Sequence, residues 1–163
     1  MQPDQVLAKI IRTYMDLPED RVVIYNGNFD APKDPHIYIL ISYESGQTLG
    51  VKNEFNAKTE TETASIVTYN TYAVEIVSKS REAVERKEEI LMALHSQIGL
   101  RLAEENNVRI WRGGNILDLS AIEGASALSR YRVNIVVSGL KEKQAPIEVY
   151  ENFPREGVFD NGA

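Results

Sequence analysis

The stretch YAVEIVSKSREAVERKEEILMALHS, residues 72–96, changes from the period of a strand to the period of a helix and decides the fold class. Tyr72, Val74 and Ile76 alternate along a strand that we predict over residues 66–77. After the Ser-Lys-Ser corner, apolar residues recur at helical spacing, at Ala83, Val84, Ile90, Leu91 and Leu94. A strand therefore leads directly into a helix, which we predict over residues 79–95.

Predicted helices and strands are grouped on both sides of this stretch. The N-terminal residues carry an apolar stripe at helical spacing, made of Val6, Leu7, Ile10, Ile11 and Tyr14. The remaining predictions are a helix over 4–17, strands over 21–25 and 36–43, a helical stretch over 97–106 broken at Gly99, and strands over 108–111, 116–119, 131–137 and 146–150. Strands joined by hairpins, with helices grouped together, favour an α+β fold in which helices pack on one face of a mostly antiparallel sheet.

Residues 44–65 are the most polar part of the chain and include the alternation Thr-Glu-Thr-Glu-Thr. They predict a long β-hairpin that projects from the domain. Val51 and Phe55 are almost its only apolar anchors, too few to offset a backbone ordering entropy of roughly 1 kcal/mol per residue. We therefore expect this hairpin to be mobile in a free subunit and to become ordered against a neighbour.

The composition is that of one globular domain. Of the 163 residues, 43% are hydrophobic, so a core can form, and we predict a single domain over 1–152 with a loose tail over 153–163. A formal charge of −6, from 18 basic and 24 acidic residues, argues against tight nucleic-acid binding. The sequence contains no cysteine, which excludes disulfides, thiolate metal sites and cysteine nucleophiles.

The run Arg112-Gly113-Gly114-Asn115 allows three interpretations: a phosphate cradle, a nucleic-acid contact or a turn between strands. A phosphate cradle requires glycines between a strand and a helix N-terminus, whereas these glycines lead into another predicted strand. Glycine and asparagine tolerate positive φ, so we expect a hairpin turn here. The preceding residue, Trp111, is expected in the core rather than at an interface.

Catalytic and metal-binding patterns are missing from the sequence. His36 and His95 are the only histidines, too few for a zinc site built from histidines. The serines lack the frame of a nucleophile elbow, and paired acids such as Glu88-Glu89 are typical of solvated helix faces. The sequence therefore predicts no enzyme, no cofactor and no metal site.

Four segments together resemble the tail terminator, or neck terminator, proteins of tailed bacteriophages. They are residues 72–96, quoted above, Glu-Asn-Asn-Val-Arg-Ile at 105–110, NILDLSAIEG at 115–124 and SRYRVNIVV at 129–137, in this order. The resemblance covers roughly residues 4–152. It implies an α+β subunit without catalytic residues.

The resemblance further implies a structural virion protein whose subunits close into a homo-oligomeric ring, a hexamer. Such a ring caps the tail tube, ends its polymerisation and joins the tail to the head connector or neck. The implied partners are the tail tube protein, the connector or neck protein and the sheath protein, while DNA passes through without specific binding. The implied location is the tail or neck of the virion, assembled in the host cytoplasm.

Two sets of side chains are candidates for contacts in such a ring. Interface candidates are Val51, Lys52, Asn53, Glu54, Phe55, Arg112, Asn115 and Phe153. Acids that would line the lumen and repel DNA are Glu60, Glu62, Glu104 and Glu105. A different class of function stays open: a stand-alone binding module that holds a peptide or a small ligand in the groove between sheet and helices.

Overall fold

A computed structural model describes residues 1–25, 27–123 and 126–146 of the protein. Its helices are α1 (Pro3–Met15), α2 (Glu82–Arg86), α3 (Glu89–His95) and α4 (Gln97–Glu105), with a 3-10 turn at Glu19–Arg21. Its strands are β1 (Val22–Ile24), β2 (Tyr38–Asn56), β3 (Thr61–Ser78), β4 (Val108–Arg112), β5 (Leu117–Asp118), β6 (Ala121–Glu123) and β7 (Ser126–Pro146).

One mixed sheet has the strand order β1-β2-β3-β7-β4. β1 runs parallel to β2, and the other described strand pairs are antiparallel. β7, with 21 residues, is the longest strand of the sheet. β4, β5 and β6 pair with successive stretches of it. The prediction of an α+β fold with a mostly antiparallel sheet and a long hairpin is confirmed.

The core lies between the helices and alternate residues of β2, β3 and β7 that face the same side. Its largest fully buried side chains include Leu7, Ile10, Ile11, Ile39, Ile41, Val74, Ile76, Ile90 and Ile135. α1 begins with a capping box in which the Gln2 amide donates to Gln5 Oε1 at 3.1 Å. Its predicted stripe is confirmed except at the last position, where Met15 is buried and Tyr14 is 38% exposed.

The helical region after β3 is divided differently from the prediction. The helix expected over 79–95 is two helices, α2 and α3, and Lys87 lies at their junction, where its ammonium donates to the Val84 carbonyl at 3.0 Å. The next break falls at Ser96, whose hydroxyl accepts from the Gly99 amide at 2.9 Å and so caps α4. Gly99 lies inside α4 and does not break it. The close packing of the α3–α4 corner favours glycine there, because a Cβ would lie 2.2 Å from the Ala93 carbonyl oxygen.

The polar hairpin is a continuous extension of the sheet. β2 continues to Asn56 and β3 begins at Thr61, so the strand ends expected at residues 43 and 66 were wrong. The reason is pairing: β3 hydrogen-bonds on one side to β2 and on the other to β7, as far as Thr61 opposite Pro146. We call the three-stranded ribbon of residues 49–56, 61–67 and 140–146 the arm. Its mobility in the free protein stays a prediction that hydrogen exchange can test.

The two glycines after β4 form a connector between strands that lie end to end. β4 and β5 do not pair with each other: Arg112 lies opposite Ile135 and Leu117 opposite Arg132, both on β7. The hairpin turn predicted at residues 112–115 was therefore wrong, and neither Gly113 nor Gly114 has positive φ. Gly113 instead approaches β7 closely: a Cβ would lie 3.1 Å from Val136 and 3.2 Å from the Asn134 carbonyl oxygen, so a larger residue would require these neighbours to shift by a few tenths of an ångström.

Candidate interaction surface

The arm is the part of the described sheet that lies beyond the first residue of β4 in the register. Val108 at the start of β4 lies opposite Gly139, and Gly139 lies opposite Thr68. A row here means residues that lie opposite one another on adjacent strands. The arm begins at the next row outwards, Leu49, Val67 and Leu140, and ends at the row of Asn56, Thr61 and Pro146. Seven rows of strand at about 3.3 Å per residue give it a length of roughly 20 Å. An arm of this length reaches well away from the helices and can meet another molecule.

Apolar side chains on the helix side of the arm are uncovered. Val51, Asn53 and Phe55 alternate with Lys52 and Glu54, so the two sets point to opposite faces. Val51 is 67% exposed and Phe55 is 65% exposed. Large apolar side chains exposed to this extent on the same face, here separated by Asn53, favour a surface that is covered by a partner.

The other face of the arm carries a second apolar patch. Leu49, Val67 and Leu140 lie in one row across the three strands, and all three are exposed. Towards the helix-covered part, this face continues to Tyr69 and Trp111, whose ring centroids lie 5.6 Å apart in an edge-to-face arrangement. Trp111 is 37% exposed, so the expectation that it belongs to the core was wrong.

An ion-pair network lies in the helix-covered body of the sheet, where Glu75 is eight residues along β3 from Val67, the innermost arm residue of that strand. Glu75 is buried, and its carboxylate accepts from Arg130 Nη2 at 2.6 Å and from Arg130 Nε at 3.0 Å. Arg132 Nη1 lies 3.9 Å from the other Glu75 oxygen, and Arg132 also pairs with Glu44. Glu44 is the extra residue of a bulge in β2, so the network ties the bulge to β7 across β3.

A second polar network ties the loop before β2 to the helices. Arg21 Nη1 donates to Asp34 Oδ1 at 2.9 Å, and this hydrogen bond lowers the pKa of Asp34 to about 2. The Ile37 amide donates to Glu82 Oε2 at 3.1 Å, and Arg86 pairs with the same Glu82 carboxylate. Each charged side chain of this network is paired with another group of the protein, so the network offers no free acid or base in a cavity.

The predicted site residues fall in several places. Val51, Lys52, Asn53, Glu54 and Phe55 are together on β2 in the arm, all exposed. Arg112 and Asn115 are exposed at the connector beside β7, and Phe153 lies outside the described residues. The interface set is therefore divided between the arm and the connector.

The predicted lumen acids do not form one cluster. Glu60 and Glu62 are at the tip of the arm, whereas Glu104 and Glu105 end α4, just before β4. In the register, Glu62 lies opposite Ala145, six residues along β7 from Gly139, the partner of Val108. At about 3.3 Å per residue, the two acidic pairs are separated by roughly 20 Å along the sheet. One subunit can therefore present acids at two positions along the strand direction of the sheet.

Sequence reasoning missed the patch of Leu49, Val67 and Leu140 and the network around Glu75. The signal for the network was present, because a carboxylate inside the apolar run YAVEIV predicts a buried ionic partner. In the described ranges, no group of histidines and acids can hold a metal ion. No helix in those ranges is long and apolar enough to cross a membrane.

The surface geometry is therefore that of a helix-covered sheet with a projecting arm that carries two exposed apolar patches, and with an ion-pair network in the body of the sheet. Comparison with known proteins adds no family to this description. No protein-family model matches the chain, and no curated protein is significantly similar to it.

Proposed function

We propose that the protein is a structural subunit of a phage-type tail, which closes into a homo-oligomeric ring that caps the tail tube. The ring ends tube polymerisation and joins the tail to the head connector or neck, in the virion tail or neck. The observation that carries this proposal is the arm, whose apolar side chains Val51 and Phe55 are about two-thirds exposed at 67% and 65%. Such side chains are expected to be buried by a neighbouring molecule.

The arm favours an assembly function over a catalytic one. Its three strands combine backbone pairing with exposed apolar groups, and its charged side chains, such as the Lys52–Glu54 pair, are exposed rather than gathered in a pocket. A projecting ribbon can reach over an adjacent subunit, which is a common way for strands to join proteins. The resemblance to tail terminators supplies the ring and its partners; the arm supplies a surface with which a ring can be built.

Native mass spectrometry with negative-stain imaging tests the ring directly. We expect rings at high concentration or on purified tail tubes, and shorter, capped tubes when the protein is added during tube polymerisation. The double substitution Val51→Ser with Phe55→Ser should abolish both. Met92→Ser is the matched control, since Met92 on α3 is 54% exposed and lies outside the arm. A monomer that also fails to cap tubes would refute the proposal.

The distribution of acids supports a lumen through which DNA slides. Each phosphate contact that a ring made with DNA would have to be broken during ejection, so a conduit should carry few exposed cations on its inner face. Glu60 and Glu62 at the arm tip and Glu104 and Glu105 at the end of α4 provide carboxylates for that face. Submicromolar binding of duplex DNA at low salt would contradict this part of the proposal.

The alternative of a stand-alone binding module has less support from the geometry. The space between helices and sheet, where a ligand was expected, is filled by buried side chains such as Ile39, Ile76 and Ile135. The remaining hollows of the described part are open grooves, for example between α4 and β4, lined by Leu100, Ala103 and Val108. A compact ligand pocket would require that core to be displaced.

A further inference from the structure

The outer edge of β2 is open over most of its length. β1 pairs with β2 only from Val22 opposite Ile39 to Ile24 opposite Ile41, and in the described ranges no strand pairs with that side of β2 further out. An open edge presents unpaired backbone N–H and C=O groups that another strand can use. A bulge after Leu49, with Gly50 at φ 57, interrupts the register, and the last stretch, Val51 to Asn56, then pairs with β3 without a further shift.

The sequence of that last stretch is complementary to itself when it is read antiparallel about Asn53. In this register, Val51 of one copy lies opposite Phe55 of the other, and Lys52 lies opposite Glu54. Both apolar residues are on the helix-side face and both charged residues are on the other face, so each cross-strand pair joins residues on one side of the sheet. A twofold axis through Asn53 produces each pair twice.

The other open edge of the arm, on β7, lacks this property. Its outer residues are Lys141, Glu142, Lys143 and Gln144. Antiparallel self-pairing centred on Glu142 would place Lys141 opposite Lys143, and pairing centred on Lys143 would place Lys143 opposite itself. Like charges directly opposite each other destabilise a strand pair. The two edges of one arm therefore differ: the β2 edge has a register in which its charges are complementary to its own copy, whereas the β7 edge opposes like charges in the registers centred on Glu142 and Lys143.

Pairing of β2 with β7 of a neighbour is also less complementary than pairing of β2 with itself. Both strands run outwards, so side-by-side arms would pair in parallel. At equal height, Lys52 would meet Glu142, but Val51 would meet Lys141 and Phe55 only the small Ala145. Antiparallel pairing of β2 joins opposite charges on one face and apolar side chains on the other, and backbone pairing is slightly more stable per residue when antiparallel.

We propose that a second copy of this chain occupies the edge at Val51 to Asn56, by antiparallel strand pairing about a twofold axis at Asn53. The two arms then form one six-stranded ribbon, with Val51 and Phe55 of both copies side by side and a four-charge cluster of Lys52 and Glu54 on the other face. The contact is short and falls in the weak class, below about 1,200 Å² of buried surface, so dimerisation depends on protein concentration.

This dimer does not rest on the proposed function and plays a different part from the ring. A twofold contact is closed after two copies and cannot extend around a ring. It covers the most exposed apolar side chains of the arm in the free protein, and it must separate before β2 can meet another neighbour. Dimerisation and ring closure therefore compete for the same strand, which limits premature assembly.

A single cysteine tests the register, because the native chain has none. In the proposed pair the two Asn53 Cα atoms are about 4.5–5.5 Å apart, within the range that a disulfide spans. Asn53→Cys should therefore crosslink to a covalent dimer under mild oxidation, whereas Lys143→Cys on the β7 edge should stay monomeric. Both positions are exposed, so neither substitution disturbs the core.

A mixture of the two cysteine variants separates the proposed pairing from a head-to-tail arrangement. Asn53 and Lys143 share one row, with Ala64 between them, so a neighbour added in parallel would bring position 53 of one copy next to position 143 of the other. Crosslinks that form only in the mixture, or in neither sample, would overturn the proposal. Crosslinks in the mixture alone would instead support ring closure through the arm, so this inference and the proposed function can fail separately.

Charge reversal gives a second, non-covalent test by sedimentation equilibrium. Lys52→Glu places glutamates opposite Glu54 twice in the dimer and should raise the dissociation constant by about tenfold, as two attractive pairs become repulsive. Adding Glu54→Lys to the same chain restores opposite charges and should restore dimerisation. Lys141→Glu is the control on the β7 edge and should have no effect. A double variant that stays as weak as the single one would refute the register.

Discussion

The strands β2, β3 and β7 each run through two regions, the helix-covered body of the sheet and the arm. In the body, Ile41 on β2 and Val74 on β3 are 0% exposed, because helices cover one face and the Glu75 network occupies the other. In the arm the same ladder of backbone pairs continues, yet Val51 remains 67% exposed. Strand pairing alone therefore orders a backbone without burying its side chains, and burial in the body requires the helices on one face and the side chains that cover the other.

The largest expected contrast lies along β2 itself. Ile41→Ala removes a fully buried side chain and should lower the free energy of unfolding by about 2–5 kcal/mol, the sum of lost transfer energy and a cavity. Val51→Ala, ten residues further along the same strand, should change it by less than about 0.5 kcal/mol. Urea unfolding of the dilute monomer followed by circular dichroism measures both. Equal losses would mean that the arm contributes to the core.

Gly99→Ala should produce the next largest effect and tests how tightly the helices of the body pack. The added Cβ would lie 2.2 Å from the Ala93 carbonyl oxygen and 3.2 Å from that of Leu94, so the α3–α4 corner must open. We expect a loss of about 1–3 kcal/mol, typical of overpacking. Gly114→Ala is the matched control, since nothing lies within 4 Å of its Cβ position and its φ is negative. A neutral Gly99→Ala would show that the corner is loose.

The substitutions Glu75→Gln and Glu54→Gln compare an ion pair of the body with an ion pair of the arm. Glu75 has 8% of its side chain exposed and bonds to Arg130, so loss of its charge leaves a guanidinium without its partner. The expected cost is about 1–2 kcal/mol, below that of a fully buried pair because Arg130 is 43% exposed. Glu54→Gln breaks the exposed Lys52–Glu54 pair of the arm and should leave the thermal midpoint unchanged. Similar shifts for both would show that Glu75 is as well solvated as Glu54.

The smallest effect concerns acid pH and the loop that precedes β2. Arg21 lowers the pKa of Asp34 to about 2 from its ordinary value of 3.8. A carboxyl with a lowered folded-state pKa adds stability above its unfolded pKa, and this contribution is lost as the pH falls from about 3.8 towards about 2. The unfolding midpoint of Asp34→Asn should therefore lack the part of the acid dependence in that interval. A chemical-shift titration of the Asp34 carboxyl with an ordinary midpoint would contradict the pairing.

Local periodicity explains which parts of the fold were predictable. The α1 stripe from Val6 to Ile11 and the alternation of Val133, Ile135 and Val137 are readable because each side chain's burial follows from its own short segment. The extension of β7 to Pro146 was not readable. Residues 138–146 are mostly polar, and they form a strand only because β3, 69 to 85 residues earlier in the chain, supplies the partner.

The same distinction applies to the candidate surface. The run from Val51 to Phe55 was identified from the sequence because apolar residues stand out in a polar segment. Leu49 and Leu140 were not, since their patch exists only when β2, β3 and β7 lie in register. Gly113-Gly114 was interpreted as a turn because glycines suggest positive φ, whereas Gly113 instead approaches β7 closely, which is visible only in three dimensions.

The position of β7 in the chain also affects how the protein can be made. β7 separates β3 from β4 in the sheet, yet its residues follow all the other elements of the described ranges in the order of synthesis. Until Ser126–Pro146 has left the ribosome, β3 remains an unsatisfied edge next to an incomplete core, a state prone to association with other chains. Nascent chains that stall before this strand should therefore depend on chaperones, and translation speed near residue 126 should influence the yield of native protein.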